Sequence, residues 1–208
     1  MSGVFIYWDN SNVFYEAQRL AEELNGDPTA RFRVRIHFEN LFRLAQADRS
    51  LEKAYAAGSI PPEMNQLWNR LENQDVEVYL FDRGTSGGGE QETPDQWLQL
   101  RMMEDGWDNI ENPGIVVLLT GDGAGYVEGR GFHSTLERLY RRGWKIEVLS
   151  WKHCCNRGMR LWAENNGVFV PLDDYYESIT FLEPSRPGFP FALPRDVSVL
   201  DLSQRPVA

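Results

Sequence analysis

Two cysteines stand in the 208 residues, and they are neighbours, Cys154 and Cys155. Adjacent thiols staple nothing, which excludes a disulfide scaffold and suits a reducing compartment. Only three histidines are present, and His153 beside the cysteines finds no second Cys or His pair to close a zinc site. No stretch approaches the length of a membrane span, and the first residues offer the short apolar run VFIYW without a basic leader or cleavage site. A cytoplasmic location is the expectation. Positive charge is also scarce: 21 Lys and Arg face 31 Asp and Glu, a net −10 that argues against a polyanionic partner. The distribution softens this. Residues 130–160 hold eight Arg or Lys against Glu137 and Glu147, a basic face compatible with nucleic acid, although a solvated helix face is the commoner origin of such a run.

Several catalytic signatures are missing too. There is no GxSxG elbow for a serine hydrolase. In GDGAGYVEGRG, Glu128 stands where a dinucleotide loop needs its third glycine, and the motif follows a fourth strand, not a first. Ser11 stands where an aspartyl-phosphate phosphatase needs a second aspartate after Asp9.

What is present is alternation. VFIYWD, LEKAYAAGS, VEVYLFD, GIVVLLTGD and KIEVLSW read as strands, with VFVPLDDYY as a last extended piece. Between them lie helical patterns: SNVFYEAQRLAEELN, FENLFRLAQ, PPEMNQLWNRLENQ, TPDQWLQLRMMEDGW, HSTLERLYRRG and CNRGMRLWAENNG. Such alternation predicts an α/β fold: a doubly wound, mostly parallel sheet of five to six strands with helices on both faces. Residues 1–183 are read as one domain. Residues 184–208, with five prolines, are read as an extended arm. It either packs on the domain or a partner through Phe189, Phe191 and Leu193, or stays disordered.

In an open parallel sheet, ligands sit beyond the carboxyl ends of the strands where strand order reverses. The first strand ends on Asp9 and the fourth on Asp122, so both carboxylates reach one rim. Asp95 opens the helix after the glycine loop GTSGGGEQE, and Glu90 and Glu92 precede it. Three carboxylates in one cleft repel unless a cation lies among them. Hard oxygen donors suit Mg²⁺ or Mn²⁺, and the matching chemistry is water activation or leaving-group stabilisation at phosphorus.

Local explanations compete. Asp9 is a possible helix cap, in rivalry with Ser11 and Asn12; Thr93-Pro94-Asp95-Gln96 reads as a capping box; Asp122 between glycines suits a turn. Asn10 and Asn12 exceed what one cap needs, and either orients Asp9 or bonds a phosphate. Tyr126 beside Asp122 is the best aromatic for substrate. Trp151, next to Lys152, is either a base-stacking residue or a core tryptophan, with Arg157 and Arg160 as phosphate contacts. His133 either touches substrate or packs in its helix.

Taken in order, VFIYWDNSN, EQETPDQW, VVLLTGDGAGY and LERLYRRGWKIEVLSW resemble the NYN domain of the PIN-like nuclease superfamily, from about Val4 to about Glu183. The resemblance implies a PIN-like sheet and a metal-dependent ribonuclease that hydrolyses RNA at an acidic rim site with Mg²⁺ or Mn²⁺. It carries Asp9, Asp95 and Asp122 over as the acidic ligands, with Asn12 as the polar companion of Asp9. Glu92 and Glu128 stand as supplementary ligands, and Asn10, Ser11, Tyr126, Arg130, Lys152 and Arg157 as RNA contacts. The expected partner is single-stranded RNA, with a homo-oligomer or protein partner met through the arm. One departure matters: Ala124 stands where the family commonly has another aspartate, and Thr93-Pro94 replaces a basic residue near Asp95. A domain that binds RNA or a protein without cutting is the alternative.

Overall fold

The first strand is apolar on both pleats because both faces of the sheet are covered. In the computed structural model, which describes residues 3–59, 72, 75–81, 94–121, 130–185, 188 and 191–208, every residue of that strand is buried. The elements run β1 (Val4–Asp9), α1 (Asn10–Asn25), α2 (Ala30–Arg33), β2 (Val34–Ile36), α3 (Phe38–Gln46), β3 (Leu51–Ser59), β4 (Val76–Phe81), α4 (Pro94–Asp108), β5 (Ile115–Leu119), α5 (Phe132–Tyr140), β6 (Lys145–Ser150), α6 (Arg157–Asn166), β7 (Val168–Pro171), α7 (Tyr176–Ile179) and β8 (Thr180–Leu182). The helix expected over 61–74 lies, but for Glu72, outside the described residues, as does the glycine loop.

Six strands form one sheet in the order β4-β3-β1-β5-β6-β7, and every pairing in it is parallel. The α/β, doubly wound, PIN-like expectation is met. From β1 the chain builds outward one way through β3 and β4, then the other way through β5, β6 and β7. Strand order therefore reverses between β1 and β5, which places a crevice at their carboxyl ends.

Alternation sorts the core into two layers. Val4, Ile6 and Trp8 of β1 join Val13 and Ala17 of α1 and Leu41 and Leu44 of α3 on one face. Phe5 and Tyr7 face the other way, with Leu98 and Met102 of α4, Leu136 of α5 and Met159 of α6. Each such side chain, fully buried, contributes about 1.5–3 kcal/mol of transfer free energy.

A second sheet escaped the sequence reading. β2 and β8 pair antiparallel over three residues each, too few to leave a periodic pattern. In the arm, the described residues offered for packing on the domain do not pack there. Phe191 and Leu193 are 85% and 71% exposed, and Phe189 lies outside the described residues. The segment is tied down by other groups. Arg195 bridges Leu182, the Arg33 guanidinium donates to the carbonyls of Glu183 and Leu193 at 2.9 Å, and Leu200, Leu202 and Ala208 pack on the core beneath α3. Deeper still, Arg205 ion-pairs with Glu147 of β6 at 2.7 Å, and both side chains are fully buried.

Candidate active site at the strand-order reversal

Asp9 is the last residue of β1 and the N-cap of α1 at once. Its Oδ1 accepts from the Asn12 backbone N–H at 3.2 Å, as a capping residue should, and its Oδ2 accepts from the Asn12 side-chain amide. Capping and orientation are thus one arrangement: Asp9, not Ser11 or Asn12, is the cap, and Asn12 clamps the second oxygen. The carboxyl is 1% exposed.

The pleat decides what it meets. Asp9 follows Phe5 and Tyr7 on the face covered by α4, and the first turn of α4 carries Asp95. The two carboxyls share a hydrogen bond. Burial pushes the Asp9 carboxyl well above the ordinary range, the nearby Asp95 charge pushes it further, and the Asn12 hydrogen bonds pull only partly the other way. A shared hydrogen bond between carboxyls requires that one keep its proton, or that a cation take the proton's place.

A polar network sets α4 at the right height. The Tyr7 hydroxyl, two residues before Asp9, donates at 2.8 Å to Asp105 of α4, which is 1% exposed and also takes the Lys53 ammonium of β3. Burial, then the Asp105 charge, raises the Tyr7 hydroxyl well above its usual value, so it remains a donor. One end of α4 is thereby locked to β1 and β3 while the other offers Asp95 to Asp9.

Across the crevice, β5 pairs with β1 in the register Tyr7↔Leu118 and Trp8↔Leu119. The next residue, Thr120, is level with Asp9 and on the same face, one strand spacing (about 4.8 Å) away. It is fully buried, and its Oγ1 has no hydrogen-bond partner among the described residues; the same holds for Asn10 Oδ1. Buried oxygens at a rim without partners are uncommon and mark places where a ligand or water is expected. Sequence reasoning missed Thr120, although a polar residue ending an apolar strand was the signal that had singled out Asp9. It also missed Glu16, one helical turn after Asn12, which is 8% exposed, lies against Gly121 and is bound by Arg19 at 2.8 Å.

Gly121 shows how closely the two halves approach. A Cβ there would sit 2.1 Å from the Asn12 carbonyl oxygen, so the α1 turn or the β5 end would have to move. Gly121→Ala should therefore cost at least the roughly 1–3 kcal/mol of an overpacked core. Thermal melts would show it, and a melting point within about 1 °C of the parent would disprove the close fit.

Asp122, Tyr126, Glu92 and Glu128, and the departure at Ala124, lie outside the described residues. Among the described residues no group of three metal-ligating side chains converges. The donors present nonetheless fit a hard divalent cation: two carboxyls in contact, with the Thr120 hydroxyl one strand away and without a partner among the described residues. Lys152 and Arg157 follow β6 at this same rim, two strands from β1, and both are exposed, as is Arg130; Ser11 is half-buried in the α1 turn. Trp151 is a core residue: it is fully buried and its indole N–H donates to the Val13 carbonyl at 3.0 Å, so it does not stack on a base. His133 packs against Trp162 with ring centroids 5.4 Å apart, and burial lowers its imidazole. Cys154 lies beside Glu16, and burial pushes its thiol up to about 12, too high for a ready thiolate.

No helix among the described residues is long and apolar enough to cross a membrane. No curated protein and no solved structure matches the chain. The family model of the NYN domain matches residues 3–159, a span that holds β1, the α4 turn with Asp95 and the end of β5, and the chain belongs to this family of the PIN-like nuclease superfamily.

Proposed function

We propose that this nuclease-type domain is a divalent-metal-dependent ribonuclease that hydrolyses phosphodiester bonds of single-stranded RNA. The observation that supports it most is the pairing of the buried Asp9 carboxyl with the half-buried Asp95 carboxyl at the strand-order reversal, an arrangement that a divalent cation would stabilise. Asp9, Asp95 and Asp122 hold Mg²⁺ or Mn²⁺, with Glu92 and Glu128 as supplementary ligands. When bound, the cation activates a water for attack at phosphorus and stabilises the leaving oxygen. Asn12 keeps both Asp9 oxygens in place, so the carboxyl cannot swing away as a strand enters. Thr120 offers its buried hydroxyl to a water or phosphate oxygen. Lys152, Arg157 and Arg130 offset phosphate charge along the rim, and Asn10, Ser11 and Tyr126 contact the strand. The free thiols of Cys154 and Cys155 support a reducing, cytoplasmic setting.

A second reading rests on Ala124, which stands where the family commonly carries an acid: the domain grips RNA without cutting it. Cleavage of a labelled single-stranded RNA with Mn²⁺, with Mg²⁺ and with EDTA separates the two. Metal-dependent cutting by wild type, lost in Asp9→Asn and in Asp122→Asn, is the expected result. Cutting that persists in both variants would expose a contaminant, and RNA bound but never cut would favour the second reading.

A further inference from the structure

The basic residues of 130–160 do not form one stripe. β6 enters the sheet at Lys145 and leaves it at Ser150, so Lys152 and Arg157 stand at the rim of the site. α5 returns from that rim, and its end carries Arg138, Tyr140, Arg141 and Arg142 to the opposite edge, beside Lys145. α4 runs the same way, from Asp95 at the rim to Trp107 at the far edge, about 18 Å at 1.5 Å per residue.

At that far edge Trp107 is 68% exposed, and the Arg142 guanidinium lies over its ring, 5.6 Å from the centroid. Tyr140 is 42% exposed nearby in the chain. Arg141 is held only loosely, 3.7 Å from Glu137, and its side chain is 74% exposed. Among the described residues neither Arg142 nor Lys145 forms an ion pair. A single exposed tryptophan needs no explanation. A tryptophan capped by a cation, with three further cations within a few residues, is the pairing of stacking and phosphate neutralisation that single-stranded nucleic acids use. Asp108 and Glu111 follow Trp107, so the attraction lies on its α5 side.

We propose that this edge is a second RNA-binding surface, remote from the carboxyls, in which Trp107 stacks on an unpaired base while Arg138, Arg141, Arg142 and Lys145 take the adjoining phosphates. The proposal rests on RNA being the substrate. At about 3.4 Å per stacked nucleotide, a strand of roughly five nucleotides spans from Trp107 to Asp95. Short oligonucleotides therefore occupy one surface, and longer ones occupy both.

Fluorescence anisotropy in EDTA, with labelled single-stranded RNAs of 4 and 12 nucleotides, tests this without turnover. Trp107→Ala should weaken the 12-mer about ten-fold, within the range for loss of one stacked base, and Trp107→Phe should restore part of it. Arg141→Ala with Arg142→Ala should lower the slope of log affinity against log salt by about 1.4. Both variants should cleave the 4-mer with Mn²⁺ as wild type does. If wild type bound the 12-mer and Trp107→Ala bound it equally well, the surface would be refuted while the substrate assignment stood. If wild type bound no RNA at all, both would fall.

Discussion

Asp9→Asn should abolish RNA cleavage and, in the absence of metal, make the protein more stable at neutral pH. The first half follows from the proposed role of Asp9 as a charged metal ligand, whose loss would cost several kcal/mol in transition-state stabilisation or roughly 10²–10⁴ in rate. The second half follows from the sign of the Asp9 shift. Below about pH 4 the carboxyl is protonated in both folded and unfolded chains and contributes nothing. As pH rises past the ordinary carboxyl value, the unfolded chain releases this proton and the folded one, whose Asp9 is raised by burial and by Asp95, does not. Stability therefore falls by about 1.4 kcal/mol per pH unit until the folded group also ionises. Asparagine removes that liability and still caps a helix well. At roughly 2–4 °C per kcal/mol for a domain of this size, the variant should melt several degrees above wild type at pH 7 and level with it near pH 3.5. Saturating Mn²⁺ should reverse the order, adding about 2.7 kcal/mol to wild type at one hundred times its dissociation constant. A variant less stable than wild type at every pH, with and without Mn²⁺, would show that Asp9 serves only as a cap.

The second large effect is expected far from the site. Glu147, fully buried on β6, is bound by Arg49 at 2.6 Å, by Arg205 at 2.7 Å and by the Ala208 backbone N–H at 2.8 Å. Burial alone would raise its carboxyl, but these partners together hold it below the ordinary range. Arg205 further donates to the Leu44 carbonyl at 3.0 Å, near the end of α3. Arg205→Ala leaves a buried charge short of a partner and should cost about 3–5 kcal/mol, lowering the melting temperature by roughly 10 °C. Replacing both charges, Glu147→Leu with Arg205→Leu, should recover most of the loss, because Arg49 keeps 17% side-chain exposure and can turn to water. The sign with pH is opposite to that of Asp9. A depressed carboxyl contributes stability above its unfolded value, and the contribution is lost as pH falls through the folded one. Urea titrations across pH 3–7 should thus show a flatter acid limb in Arg205→Ala. A loss below about 1 kcal/mol would mean that the arm rests on the core without bracing it.

These two sites also divide what was legible from what was not. The end of β1 was readable because a carboxylate closing an apolar run breaks a local pattern. The alternation of strands and helices was readable for the same reason: period and punctuation are written within about fifteen residues. Asp95 could be named from its place at a helix start, but that it meets Asp9 depends on the pleat of β1 and on Tyr7 and Asp105 locking α4. Thr120 became visible only through the β1–β5 register, since an ordinary threonine acquires meaning from the strand beside it. The basic run looked like a single stripe because sequence distance ignores that α5 and β6 lie antiparallel, which sends its members to opposite edges. Trp151 beside Lys152 stayed open between base stacking and the core for a similar reason, and its ring turns inward to the Val13 carbonyl. In the arm, the conspicuous Phe191 and Leu193 drew attention while the anchor was Arg205, a residue type read as surface until a buried carboxylate 58 positions away claims it. The sequence by itself determined the order of elements, the sheet class and the carboxylate at the end of β1. Only the tertiary structure decided which side chains meet, because pairing across the sheet and the neutralisation of buried charge join residues that carry no local mark of each other.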